Sequence, residues 1–200
     1  MSSLLAALLS VEGAAALLAL AYLWLALRES LWCWLCALLS SALYCGIFWE
    51  ARLYMETLLN AFYAVMAVIG WWQWRSGASA SDALQIQTWP WQRHVLCAAA
   101  VLLLAVANGW LLAQFTAAVW PFADALIAWG GVLTTWLVVR KVLENWLYWL
   151  LLDALAVVLY TERGLYPTAL LYALYLVLVV AGYLRWRRVY RQRVSERPAG

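Results

Sequence analysis

The sequence predicts an all-α integral membrane protein of seven transmembrane helices, built as two parallel three-helix repeats around a linker helix. Three observations predict it: the composition, seven apolar stretches of spanning length, and a self-match at one fixed offset. Of 200 residues, 68% are hydrophobic and 12% charged, whereas soluble domains are about half apolar and a quarter charged. Sixteen Trp and eleven Tyr exceed what anchoring at two membrane interfaces requires. Some of those rings are expected to line an interior path, where flat faces stack on flat solutes.

A membrane span needs about 20 mostly apolar residues. Seven stretches meet this, at about 7–27, 31–49, 54–74, 94–113, 120–139, 143–160 and 165–186. Met1-Ser2-Ser3 carries no basic flank and no small-residue cleavage signal follows, so the first stretch reads as a mature helix. Charge or turn chemistry marks the breaks at Arg28-Glu29-Ser30, Glu50 to Arg52, Arg140-Lys141 and Glu162-Arg163-Gly164. The one long connection, Arg75 to Arg93, opens on a Ser/Gly/Ala-rich run that reads as a flexible linker and continues through Trp89-Pro90-Trp91 at the interface.

The repeat is found by sliding the sequence along itself by 112 residues. Between 12 and 75, 23 of 64 positions are identical without a gap. Shared Leu and Ala are weak evidence in so apolar a chain. Trp24, Arg28, Trp34, Glu50, Tyr54, Tyr63, Gly70, Trp74 and Arg75 are stronger, falling on Trp136, Arg140, Trp146, Glu162, Tyr166, Tyr175, Gly182, Trp186 and Arg187. Helices one to three thus match five to seven. Four crossings separate each pair, so the copies run the same way, and the unmatched fourth helix makes this possible. Parallel repeats of this kind are a transporter plan, with substrate near the midplane and rocking of the halves giving alternating access. The domain plan is repeat 1 at 1–75, linker and helix 4 at 76–115, repeat 2 at 116–187, and a basic cytoplasmic tail at 188–200.

Ionisable groups inside spans are costly, about 2.5–3.5 kcal/mol on insertion scales, and are functional candidates by default. Asp153 lies mid-helix, and steps of four place Trp149 and Asn145 on the same stripe. A carboxylate, an indole and an amide in line suit a flat, cationic or hydrogen-bonding ligand; the alternative is a pairing of Asp153 with another helix and packing by Trp149. Asn60, Tyr63, Thr134, Thr135, Tyr172 and Tyr175 could complete such a pocket, or bridge helices structurally. Glu12, Glu56 and Asp124 fall near the outer ends of their spans, where they suit a vestibule or helix N-termini. Cys33 and Cys36 form a lone CxxC beside a single His94, too few ligands for zinc.

With these residues in view, the chain resembles the PnuC family of bacterial vitamin transporters over nearly its whole length. The resemblance is carried by Phe48-Trp49-Glu50-Ala51-Arg52-Leu53-Tyr54 leading to Gly70-Trp71-Trp72-Gln73-Trp74. It continues in Arg140-Lys141-Val142-Leu143-Glu144-Asn145-Trp146-Leu147-Tyr148-Trp149 with Asp153, and in Gly164-Leu165-Tyr166. The resemblance implies a homotrimer that imports a pyridine or thiazolium vitamin, most typically nicotinamide riboside, by facilitated diffusion. A cytoplasmic vitamin kinase then traps the product by phosphorylation. It also implies that Asn145, Trp146 and Trp149 bind substrate. Many members carry Gln where this chain has Asn60 and again where it has Thr135, a departure that leaves thiamine as an alternative cargo.

Other classes fit less well. A retinal receptor needs a Lys in its last helix, and the one lysine, Lys141, lies in a loop. A haem cytochrome wants two axial His, a nucleotide hydrolase wants a phosphate-binding loop, and an intramembrane hydrolase wants a Ser/His pair at depth. None of these is in the sequence. The expectation is therefore no enzyme activity, no cofactor, no resident metal and no nucleic-acid partner. A non-transporting scaffold is the remaining alternative.

Seven spans put the termini on opposite sides of the bilayer. The C-terminal side collects Arg28, Arg75, Arg93, Arg140, Lys141, Arg185, Arg187, Arg188, Arg191, Arg193 and Arg197, the other side only Arg52 and Arg163. Lys and Arg concentrate in cytoplasmic loops, so Gly200 is expected inside the cell, at a bacterial inner membrane, with the basic tail against anionic lipid. Alkaline phosphatase fused after Gly200 should accordingly be inactive, and a periplasmically active fusion would reverse the topology.

Overall fold

The fold is taken from a computed structural model that describes residues 10–50, 54–75, 84–116, 120–162, 164 and 166–196. The expected first residues of helix one, the break at Arg52, the start of the linker, Arg163 and the last four residues of the tail lie outside that set. Seven helices are described: α1 (Val11–Leu27), α2 (Trp32–Glu50), α3 (Tyr54–Arg75), α4 (Trp91–Phe115), α5 (Pro121–Val139), α6 (Asn145–Glu162) and α7 (Tyr166–Ser195). Among the described residues the β-structure is a single isolated bridge, Gln87 with Val142.

Each boundary has a local cause. Ser10 caps α1, its Oγ accepting from the Gly13 amide at 3.1 Å, with Glu12 in the first turn to meet the helix dipole. Pro90 precedes α4 and Pro121 opens α5 at a position where the missing N–H costs nothing. Gly164 takes φ 71° in the turn after α6, a conformation glycine adopts without strain.

Helix α7 departs from the expected plan. It runs 30 residues, or about 45 Å at 1.5 Å per residue, against a hydrocarbon core of about 30 Å. The basic segment read as a tail from residue 188 is therefore helical as far as Ser195. Arginine is a good helix former, and its charge ends the span without ending the helix.

Among the described residues four helices are long and apolar enough to cross a membrane by length and composition alone: α2, α4, α5 and α7 from Thr168. The described part of α1 has 17 residues. Helices α3 and α6 are the ones that carry Asn60, Asn145 and Asp153. Their polar content lowers their hydropathy, at the positions singled out for chemistry.

The chain divides into two compact units, Met1–Gln85 and Ile86–Gly200. In the first, α1 packs on α2 and α2 on α3; in the second, α4 packs on α5, α5 on α6 and α6 on α7. The unmatched α4 and the linker segment from Ile86 thus go with the second repeat.

The two units share a local geometry at the 112-residue offset. Both first helices end in the same turn. The Glu29 amide donates to the Ala26 carbonyl and Ser30 to Leu25; their counterparts Lys141 and Val142 donate to Val138 and Leu137, all at 2.9–3.0 Å. This six-to-one plus five-to-two pattern satisfies the terminal carbonyls of a helix and needs a left-handed residue at its centre. Glu29 and Lys141 supply it with φ of 56° and 51°, although neither is glycine. Arg28 and Arg140 each cover an indole one turn back, Trp24 at 4.5 Å and Trp136 at 5.9 Å.

The central contact is also repeated. Trp34 lies edge-on to Trp74 with centroids 5.2 Å apart, and Trp146 edge-on to Trp186 at 5.3 Å, both at 86°. A methyl added to Gly70 would come within 2.4 Å of the Trp34 ring, and one on Gly182 within 2.5 Å of the Trp146 ring. Each indole therefore fills a notch that only glycine leaves open. Gly70→Ala and Gly182→Ala should each destabilise by about 1–3 kcal/mol, the usual cost of overpacking against a rigid ring. Thermal unfolding in detergent, followed by size exclusion, should show two similar losses; wild-type stability in either variant would mean the ring can move aside.

Candidate functional site

Polar groups buried inside an apolar helical bundle require partners or a role. Among the described residues of the first unit these are Ser40 and Ser41; in the second they are Thr134, Thr135, Lys141, Asn145 and Asp153. Ser40 has a packing role, since its hydroxyl donates to the Ala15 carbonyl of α1 at 2.8 Å. The second set concentrates on α5 and α6.

Helix α6 carries the candidate stripe. Asn145 is fully buried at the first turn. Its Nδ2 donates to the Val142 carbonyl at 2.6 Å, while its Oδ1 has no partner among the described residues. That leaves one amide oxygen, held in place, with acceptor capacity to spare. Trp149, one turn on, is half-buried, and its enclosed Nε1–H is likewise unpartnered. Asp153, a further turn along, is 3% exposed. No ion pair reaches it among the described residues. An acceptor, a ring with a donor and a carboxylate thus follow one another at about 6 Å intervals.

The flanking helices add to this. On α5, Thr134 is fully buried and its hydroxyl donates back to the Gly130 carbonyl at 2.7 Å, so it is satisfied within its own helix. Thr135 is 8% exposed on the same helix. On α7, Tyr172 stacks on Tyr160 of α6 with centroids 5.3 Å apart and meets Tyr175 edge-on at 5.5 Å. The structure therefore gathers Thr135, Asn145, Trp146, Trp149, Asp153 and Tyr172 on three consecutively packed helices of the second unit.

Asn60 and Tyr63 belong to the first unit. The Asn60 side-chain amide donates to the Glu56 carbonyl one turn back at 2.9 Å. Tyr63 is half-buried and edge-on to Phe62 at 5.9 Å. Trp146 stands apart from its stripe neighbours in another sense: it is the ring seated in the Gly182 notch, the place Trp34 takes in the first unit.

What supports the stripe is distant from it in sequence and leaves little local signal. The segment Ile86 to His94 lies along the turn between α5 and α6. Gln87 pairs with Val142 in the isolated bridge, Trp89 meets Trp136 edge-on at 5.3 Å, and His94 Nδ1 lies 3.0 Å from the Tyr148 hydroxyl. The one local signal was Trp89-Pro90-Trp91, in which proline fixes a helix start. Among the described residues no three His, Cys, Asp or Glu gather as for a metal ion.

Comparison with known proteins places this geometry in context. The model of the nicotinamide mononucleotide transporter family matches residues 9–188. The chain is 31% identical over 187 residues to the riboflavin/roseoflavin transporter RibM of Streptomyces davaonensis, covering 91% of this chain and 85% of that one. It is 24% identical over 183 residues to the nicotinamide riboside transporter PnuC of Escherichia coli, covering 79% and 77%. Among solved structures, the crystal structure of the vitamin B3 transporter PnuC superimposes with a TM-score of 0.73 at 20% identity, over 91% of this chain and 82% of that one.

The two tryptophans of α6 should separate experimentally. Trp146→Ala and Trp34→Ala remove duplicated core rings, and each should cost about 3–5 kcal/mol of stability. Trp149→Ala, at a half-buried position that the first unit fills with Ala37, should leave thermal unfolding within about 1 kcal/mol of wild type. Equal losses at 146 and 149 would make Trp149 a packing residue.

Proposed function

The chain belongs to the nicotinamide mononucleotide transporter family, that of PnuC, and we propose that it imports a flat aromatic vitamin by facilitated diffusion, nicotinamide riboside on the first reading. It is a multi-pass membrane protein of a family of vitamin transporters. One observation carries the choice of cargo: the stripe of Asn145, Trp149 and Asp153, buried or half-buried, with an unpartnered amide oxygen and a carboxylate without a counter-ion among the described residues. The pyridinium ring of nicotinamide riboside suits this stripe. Its positive charge offsets the Asp153 carboxylate in a low-dielectric site, its flat face stacks on Trp149, and a hydroxyl or carboxamide donor satisfies the Asn145 oxygen.

A second reading is riboflavin, favoured by the 31% identity to RibM over most of both chains. Riboflavin offers the same combination of a flat heterocycle and a hydroxylated chain, but it is neutral. The two readings therefore differ at Asp153.

The rest of the reading follows from how such a carrier works. The sequence holds no Walker-type nucleotide-binding loop, and the family resemblance implies net flux down the solute gradient, which a cytoplasmic vitamin kinase maintains by phosphorylating the product. The carrier sits in the bacterial inner membrane with its C-terminus in the cytoplasm, in agreement with the bias of basic residues, and assembles as a homotrimer.

Trp149→Ala should weaken vitamin binding by at least 5–10-fold, about 1–1.5 kcal/mol for one lost stacking ring. Asp153→Asn keeps shape and removes charge. It should lower nicotinamide riboside affinity at least tenfold and leave riboflavin and other neutral ligands unaffected. Titrations of purified protein with nicotinamide riboside, riboflavin and thiamine, read by Trp fluorescence, decide between them, and proteoliposome uptake with and without an ionophore tests the uniport. Uptake that collapses with a proton or sodium gradient would make Asp153 an ion-coupling group and end the facilitated-diffusion reading.

A further inference from the structure

The stripe on α6 begins one residue after a turn that is held from outside. Helix α5 ends at Val139 with Arg140 as its C-cap, and the carbonyls of Arg140 and Lys141 follow in the turn. Both are taken by one residue of the linker segment: Gln87 Nε2 donates to the Arg140 carbonyl at 2.8 Å and the Gln87 amide donates to the Lys141 carbonyl at 3.0 Å. The Leu143 amide donates back to the Gln87 carbonyl at 2.8 Å. Three hydrogen bonds from a single residue therefore fix both sides of Val142.

Val142 is what orients the binding amide. Its carbonyl accepts the Asn145 backbone N–H at 3.1 Å and the Asn145 side-chain Nδ2–H at 2.6 Å. The second bond decides which way the amide faces, leaving Oδ1 as the free acceptor. On either side the same segment is fastened again. The Trp89 amide lies 3.4 Å from a Glu144 carboxylate oxygen, and His94 contacts Tyr148.

We propose that Gln87 is a positioning residue for the vitamin site: it holds the turn 140–143, and through the Val142 carbonyl it sets the orientation of Asn145. The inference rests on the reading of Asn145 as a ligand-binding group. The asymmetry of the fold agrees with it. The equivalent turn of the first unit, Arg28-Glu29-Ser30, has the same backbone geometry, yet among the described residues the only bridge of this kind is the one Gln87 makes. At the place of Asn145 the first unit has Cys33, whose side chain has no amide to orient.

The test is a double-mutant cycle in the full-length protein, titrated with nicotinamide riboside and with riboflavin. Gln87→Met keeps length and loses the side-chain donor, and should weaken binding of whichever vitamin is recognised by about 3–10-fold, the equivalent of one hydrogen bond. In an Asn145→Ala background the same change should have no further effect, because its route to the ligand is gone. A merely structural bond would instead give additive losses, and this overturns the proposal. Gln87→Ala repeats the measurement should the methionine variant fold poorly. Loss of binding from Asn145→Ala with none from either Gln87 variant overturns the positioning role alone. Unchanged binding in Asn145→Ala overturns the site reading itself, and the role of Gln87 with it.

Discussion

An indole seated on a glycine is the contact on which each half of this protein depends. Lipid tails are as apolar as leucine, so helices in a bilayer gain little from hiding apolar surface and must associate through close packing. Gly70 and Gly182 open notches in α3 and α7, and Trp34 and Trp146 fill them from α2 and α6. The second seat also fixes how α6 is rotated. At 100° per residue, Asn145, Trp149 and Asp153 fall about 100°, 60° and 20° to one side of Trp146. Once that ring is locked against α7, the stripe has one direction in which to face.

Duplication then explains why the candidate stripe is one-sided. Positions that build the scaffold are the same in both copies: Trp34 and Trp146, Gly70 and Gly182, Trp74 and Trp186. Positions along the stripe are not. Cys33, Ala37 and Ser41 stand where Asn145, Trp149 and Asp153 stand. Burial follows the repeat even where identity does not, since Ser41 and Asp153 are both almost fully enclosed. The fold thus offers the same enclosed place twice. In one copy it holds a hydroxyl compatible with close helix packing, and in the other a carboxylate whose burial is costly without a ligand or partner.

Most of the helical plan was legible because period and offset are physical signals. Apolar length marks spans, and a rigid seat needs the same Trp and Gly each time it is built, so scaffold residues stand out at 112. The same offset separates the tryptophans of α6, since Trp146 has a partner in Trp34 and Trp149 matches only Ala37. Three features were not legible. The left-handed turns carry Glu29 and Lys141, whereas glycine or asparagine is the usual signal. Helix α7 passes its basic residues without a breaker, so its charge marks the end of the span and not of the helix. The bonding of Gln87 is long-range, made across 53 residues by one amide, and no local pattern announces it.

That last feature offers a repeated fold one way to treat its two copies differently. Two identical turns would present two equal cradles for an amide, and backbone geometry alone cannot distinguish them. The linker exists once, because there is one connection between two repeats, and whatever it touches is unique by construction. Here the segment Ile86 to His94 belongs with the second unit and is fastened to its turn through Gln87, Trp89 and His94. Asn145, after that turn, is held on its side-chain amide nitrogen, and its oxygen is left without a partner among the described residues. The asymmetry of the linker therefore accounts for an asymmetry of chemistry that the repeat by itself would not produce.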